Sequence, residues 1–245
     1  MACERSESPR FPNTRWTLLA RMKSEDKPAA SRALDELCRQ YHYPLYCFIR
    51  RRGLSHHDAQ DALHDFLAKM LRLEAFARVE TGKGSLRGYL TTSLKRFLID
   101  WQRSPRQSTG GQGRWAEQSL DFDRRYETES FSDEETPERV LDRKWGAELI
   151  GRVVEELRGT YAARGKHDLF EALHPVLMAG GSLRGADPQG LAAALGIKEG
   201  TLRVSMSRLL DDFREALREE VLQTVSSSEE LDDELLNLMK VFSQP

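Results

Sequence analysis

"LSHHDAQDALHDFLAKML", residues 54–71, places three histidines and three aspartates within ten positions. Spacing decides how they are used. At about 100° per residue, Ala59, Ala62, Leu63, Phe66, Leu67 and Met70 share one arc, the apolar stripe of an amphipathic helix. His57, Asp61 and His64 lie almost opposite, with Asp58 and Asp65 beside them. Ser55 followed by Asp58 reads as a capping-box-like start, and first-turn anions suit the positive end of the helix dipole. The polar groups therefore point away from the helix's own core. His57, Asp61 and His64 follow one another by single turns, but a metal needs further converging ligands and a shell to orient them. His167 and His174 stand singly. No metal or other cofactor is expected, which leaves a solvated polar face or a docking face.

Outward from this stretch, almost everything repeats at helical spacing. "PAASRALDELCRQYHYPLYCFIRRRG" carries Leu34, Leu37, Cys38, Tyr41, Leu45 and Phe48 on one face, and Gly53 ends it. "NTRWTLLARM" begins with a cap at Asn13 or Thr14. "GSLRGYLTTSLKRFLIDWQRS" aligns Leu86, Tyr89, Leu90, Leu94, Phe97, Leu98 and Trp101. From Ser104 to Thr136 the chain turns polar and acidic and loses a sustained apolar period, as a linker does, with room for short local structure around Trp115 to Phe122. Thr136 with Pro137 then starts a helix carrying Val140, Leu141, Trp145 and Leu149 to about Leu157. Another helix is expected around "KHDLFEALHPVLMAG". No alternating strand is convincing, so the fold class is all-α, with two helical domains joined by an acidic linker. The expected boundaries are 1–104, a linker at 105–136, a second domain at 137–225 and an acidic amphipathic tail at 226–245.

The net charge of −2 hides a polarised chain: +7 over residues 1–104, −4 over 105–139, −1 over 140–225 and −4 in the tail. Cys3, Cys38 and Cys47 show no motif spacing, and Cys38 and Cys47 read as small core residues of a reduced protein. No run approaches the ~20 apolar residues of a membrane span, and the start lacks an apolar signal segment, so a soluble, cytoplasmic protein without membrane contact is expected.

The strongest local signal is "DPQGLAAALGIKEGTLRVSMSRLLDDFREALREE", residues 187–220. Asp187 and Pro188 begin a short helix, Gly196 makes a tight turn, and a second helix starts near Lys198, which is the helix-turn-helix pattern. On the second helix Leu202, Met206, Leu209, Leu210 and Phe213 form the buried stripe. Thr201, Val204, Ser207 and Arg208 face the other way, with Arg203 at the edge. Arg can pair with guanine, Val or Thr can meet a thymine methyl, and the hydroxyls can bind phosphate. The plainer reading is an ordinary helical hairpin. A second candidate surface lies opposite the apolar stripe of 85–103, where Gly88, Thr92, Lys95, Ile99 and Arg103 align, with Arg96 to one side. A basic face with one aliphatic residue suits phosphates and a single base contact, although a merely solvated basic face has the same pattern.

Taken in order, these segments resemble the two-domain alternative sigma factors of bacterial RNA polymerase, of the extracytoplasmic-function (ECF) type. "DAQDALHDFLAKML" resembles that family's helix for gripping core polymerase, and "GSLRGYLTTSLKRFLIDWQR" its segment for melting and reading the downstream promoter element. "LAAALGIKEGTLRVSMSRLLDDFRE" resembles its reader of the upstream element, and "FPNTRW" with the long tail resembles one branch of the family. The likeness spans roughly residues 30–104 and 137–220. It implies that Asp58, Asp61 and Asp65 meet basic groups on core RNA polymerase. It further implies that Lys95, Arg96, Ile99 and Arg103 hold the opened strand of promoter DNA, and that Thr201, Arg203, Val204, Ser207 and Arg208 read the upstream duplex. The function implied is promoter-specific transcription initiation, with no catalytic residue and no enzymatic activity, and with an anti-sigma or other regulatory protein as a further candidate partner. Two sites depart from the family's habit: Lys95 and Arg96 stand where a small residue and an amide are usual, and Asp211 and Asp212 where the family tends to be basic.

The tail segment "EELDDELLNLMKVF" aligns Leu231, Leu235, Leu238 and Phe242. Alone, such a helix is marginal, so it is expected to dock, either as a regulatory segment that folds back on a domain or takes a partner, or as a plain packing extension of the last domain. Two rival readings of the whole chain are a stand-alone helix-turn-helix regulator that never touches polymerase, and a metal-dependent hydrolase built on the His/Asp cluster.

Overall fold

The computed structural model describes residues 27–72, 85–103, 116–132, 134–225 and 227–243. The expected helix at 13–22, together with Cys3 and Trp115, lies outside them. Among the described residues every regular element is helical, so the all-α expectation holds. The elements are α1 (Lys27–Arg51), α2 (His56–Arg72), α3 (Leu86–Arg103), α4 (Ala116–Thr128), α5 (Pro137–Ala163), α6 (His167–Met178), a single 3-10 turn (Leu183–Gly185), α7 (Pro188–Ala194), α8 (Glu199–Leu222) and α9 (Ser228–Ser243). They fall into two compact units, Met1–Gly146 with Val221–Pro245, and Ala147–Glu220. These divisions run through α5 and α8 and not along the boundaries expected from sequence.

In the first unit α1 packs on α2 and α4, and α2 packs on α3. The expected stripe of α2 is buried at Ala59, Ala62, Leu63, Phe66, Leu67 and Met70, and that of α3 at Leu86, Leu90, Leu94, Phe97 and Leu98. Ser55 starts α2 as anticipated: its Oγ donates to Asp58 Oδ2 (2.9 Å) and accepts from the Asp58 N–H (3.2 Å). By contrast α1 is buried all round from Gln40 to Ile49, not on one face alone. The cause is α4, inside the segment read as linker. Phe122 lies 4.9 Å from the ring of His42, 5.2 Å from Tyr43 and 5.9 Å from Tyr46. Next to it, Arg50 donates to Asp123 (2.6 Å) and Glu127 (2.9 Å) and lies 4.6 Å over the Tyr126 ring. The basic end of α1 and the acidic segment 121–135 are thus complementary surfaces of one unit. Cys38 and Cys47 are buried free thiols, both pushed up to about 12, chiefly by burial.

The same unit holds the tail. Leu231, Glu234 and Leu238 of α9 are buried. Gly146 of α5 lets α9 come close: a Cβ there would stand 2.8 Å from Phe242 and 2.9 Å from Leu238. Leu231 and Leu238 are therefore docked, but within the first unit and not as an extension of the last domain; Leu235 is half-buried, and Phe242 stays 48 % exposed.

The second unit has its own core of Leu149, Val153, Leu157, Tyr161, Phe170, Leu173, Leu202, Met206 and Leu209. α7 is set by its ends. Asp187 accepts from the Gly190 N–H (3.0 Å) and Pro188 occupies the first turn. At its other end Gly196 takes φ +65°, with its N–H bonded to Ala193 O (3.1 Å) and that of Ile197 to Ala192 O (3.0 Å). That pair of bonds is a left-handed helix stop, a conformation glycine adopts without strain. α8 begins three residues later.

Candidate binding surfaces

On α2, the three aspartates differ in what they already hold. Asp58 is engaged with Ser55 at the helix start. Asp65 accepts from the indole N–H of Trp101 on α3 (3.1 Å), tying α2 to α3. Asp61 lies between them, half-buried, and a change there leaves both of those bonds intact. His57 is exposed, whereas His64 is half-buried and stacks beside His42 at 6.2 Å. Burial lowers the His64 pKa, with Asp61 and Asp65 opposing that shift. His56 faces inward, its Nδ1 2.8 Å from the Tyr46 hydroxyl. Among the described residues, no group of three or more His, Cys, Asp or Glu is placed to hold a metal ion, and the histidines of this stretch point to different surroundings.

The outward face of α3 carries Arg96, Ile99 and Arg103, all exposed, with Ile99 at 48 %. A single exposed aliphatic side chain is ordinary on a protein surface; what marks Ile99 is the pair of exposed cations, Arg96 and Arg103, on the same face. Lys95 on the same face is only half-exposed because Glu138, in the first turn of α5, takes its ammonium at 2.8 Å. Glu138 also reaches Arg52 at 3.6 Å. Two cations beside its carboxylate outweigh the cost of burial and lower its pKa.

In the second unit, the start of α8 leaves Thr201, Arg203, Val204, Ser207 and Arg208 exposed, with Val204 at 50 %. All five expected readers share this surface. Arg203 is already drawn to Glu199 one turn earlier (2.5 Å), an exposed pair of small energetic worth. The neighbouring acids Asp211 and Asp212 of this helix have different uses. Asp212 accepts from the Tyr161 hydroxyl (2.8 Å) and belongs to the unit's packing. Asp211 pairs with Arg214 (3.1 Å) at the surface.

The engaged side chains that sequence reasoning missed are Trp101, Glu138, Arg50 and Arg87. Their partners stand far off in sequence: Arg87 donates through Nε and Nη2 to both oxygens of Glu234 (2.9 and 2.8 Å), 147 residues away, and through Nη1 to Asp142. The sequence signal nearest to any of these pairings is the charge contrast between a basic first 104 residues and an acidic segment after them, which names no partners. Among the described residues no helix is long and apolar enough to cross a membrane. Comparison with protein-family models, with curated proteins and with solved structures finds no match for this chain.

Proposed function

We propose that this chain is an alternative sigma factor, which binds core RNA polymerase and directs it to a subset of promoters. The observation that carries the reading is a pattern occurring twice, once in each unit. A β-branched aliphatic side chain stands half-exposed among cations on the polar side of an amphipathic helix: Ile99 with Arg96 and Arg103, and Val204 with Arg203 and Arg208. The cations supply phosphate contacts and orientation, while the aliphatic tip offers one apolar contact to a base. A protein that reads duplex DNA at one place and an opened strand at another needs two such surfaces. The turn at Gly196 supports the helix-turn-helix reading of α7 and α8, whose second helix enters the major groove by its N-terminal residues.

The acidic side of α2 is the polymerase contact in this reading. Charge-assisted pairs across such an interface govern orientation and association rate more than affinity. Asp61 is the informative position, because Asp58 and Asp65 are also used within the fold. DNA reading is tested separately, by transcription from a promoter library with purified core polymerase. Ile99→Asp and Val204→Asp each put a carboxylate where phosphates would come, and each should cut promoter-dependent transcripts on the order of tenfold with helix content unchanged. Full transcription by both variants would contradict the assignment of the two surfaces.

A further inference from the structure

Lys95 is a cation of the α3 face that the fold itself already occupies, and the occupant is a carboxylate. Glu138 binds it at 2.8 Å and Arg52 at 3.6 Å. Glu138 is held in place from two sides. Thr136 caps α5, its Oγ1 accepting from the Arg139 N–H (3.3 Å). One turn beyond Glu138, Asp142 binds Arg87 in the first turn of α3. The other carboxylate on Arg87 is the buried Glu234 of α9, bound through both oxygens. Burial opposes the charge of this guanidinium, but the two carboxylates outweigh it and raise its pKa. The clasp extends further: the Leu86 N–H, at the free end of α3, is accepted by the carbonyl of Thr224 just ahead of α9 (3.0 Å). Gly146 receives Leu238 and Phe242 on the same side of α5.

We propose that the start of α5 and the tail helix α9 form an intramolecular latch on α3, in which Glu138 occupies Lys95 in place of a nucleic-acid phosphate. The inference rests on the proposed DNA-binding role of the α3 face. The two parts of the latch differ in strength. Arg87 is mostly enclosed against the buried Glu234, with Asp142 half-buried beside it, and removing one partner of such a cluster leaves a charge poorly compensated. Lys95 with Glu138 is more than a third exposed, so it exchanges partners readily. A groove of about 780 Å³ opens beside the clasp, lined by Arg87, Asp142, Arg143, Asn237 and Val241 among others, so water and ions reach it. The tail therefore holds α5 in register, and Glu138 competes with the strand. A phosphate that displaces Glu138 completes a contact that is absent while the latch is shut.

The test measures binding of a fluorescent oligothymidylate to the full chain across a series of salt concentrations, beside binding to purified core RNA polymerase. Glu138→Gln removes the competing charge. It should tighten oligonucleotide binding about threefold at low salt and steepen the slope of log K against log salt by about 0.7, one more counterion released. The gain should vanish in the Lys95→Gln background. Gly146→Leu, which alters no charged group but crowds Leu238 and Phe242, should reproduce part of the gain. Unchanged affinity and slope in Glu138→Gln, or the same gain without Lys95, would overturn the latch. The initiation-factor reading fails separately if every form ignores core polymerase while the Lys95-dependent gain persists, a result that still supports the latch.

Discussion

His42 shows how one buried residue sets a property of the whole chain. It sits in the part of α1 buried all round, with the ring of His64 beside it and Phe122 against it. Burial first, and His64 second, pull its imidazole pKa down to about 4. The unfolded residue titrates near 6.5, so as pH falls the unfolded chain takes up this proton before the folded one. Stability is therefore fully present above about pH 6.5 and is lost progressively as pH falls toward 4. His56 and His64 are lowered too, each mainly by burial, and add the same sign. His42 alone costs about 1.4 kcal/mol per pH unit in that window. Chemical denaturation between about pH 6 and pH 5 should show the slope. Replacing His42 with Phe should flatten it by close to one proton, and an unchanged slope would mean that His42 is protonated in the fold.

At the scale of elements, legibility depended on how local the cause was. The stripe of α2 was readable because one period of 3.6 residues decides which side chains are buried. The ends of α7 were readable because Asp187, Pro188 and Gly196 act on their own backbone. α4 was not readable as a packed element. Its composition is polar, and what orders it is Phe122 among the α1 aromatics and Asp123 and Glu127 on Arg50, partners more than 70 residues away. Phe122→Ala should therefore cost about 2 kcal/mol, less than for a fully buried ring. It should also speed amide exchange across residues 121–129 while that of α6 stays unchanged. If protection in 121–129 survived the substitution, the aromatic contact would not be what orders α4.

The candidate residues follow the same rule. Sequence placed Ile99, Val204 and their neighbouring cations on outward faces, and the structure has them exposed there. It could not show that Asp65 carries the Trp101 indole or that Lys95 is already paired, because both facts depend on which helix lies alongside. The consequence for experiment is direct. Asp65→Lys would break a bond between α2 and α3 as well as any outside contact, so its effect could not be assigned.

For the molecule as a whole, charge and partner choice belong together. The +7 of the first 104 residues is partly met from within, by the acidic stretch near 121–138 and by the tail. The acidic side of α2 remains a separate surface of opposite sign. A stand-alone DNA-binding regulator needs the cationic faces and has no use for that acidic one, which makes it the feature that separates the two readings. The most direct measurement is binding of the labelled full chain to purified bacterial core RNA polymerase, at near-physiological salt and again at higher salt, with Asp61→Lys as the paired variant. The account predicts tight binding that weakens with salt and falls on the order of tenfold or more in the variant, mainly through slower association. No binding by the unaltered chain, with duplex DNA still bound, would contradict it.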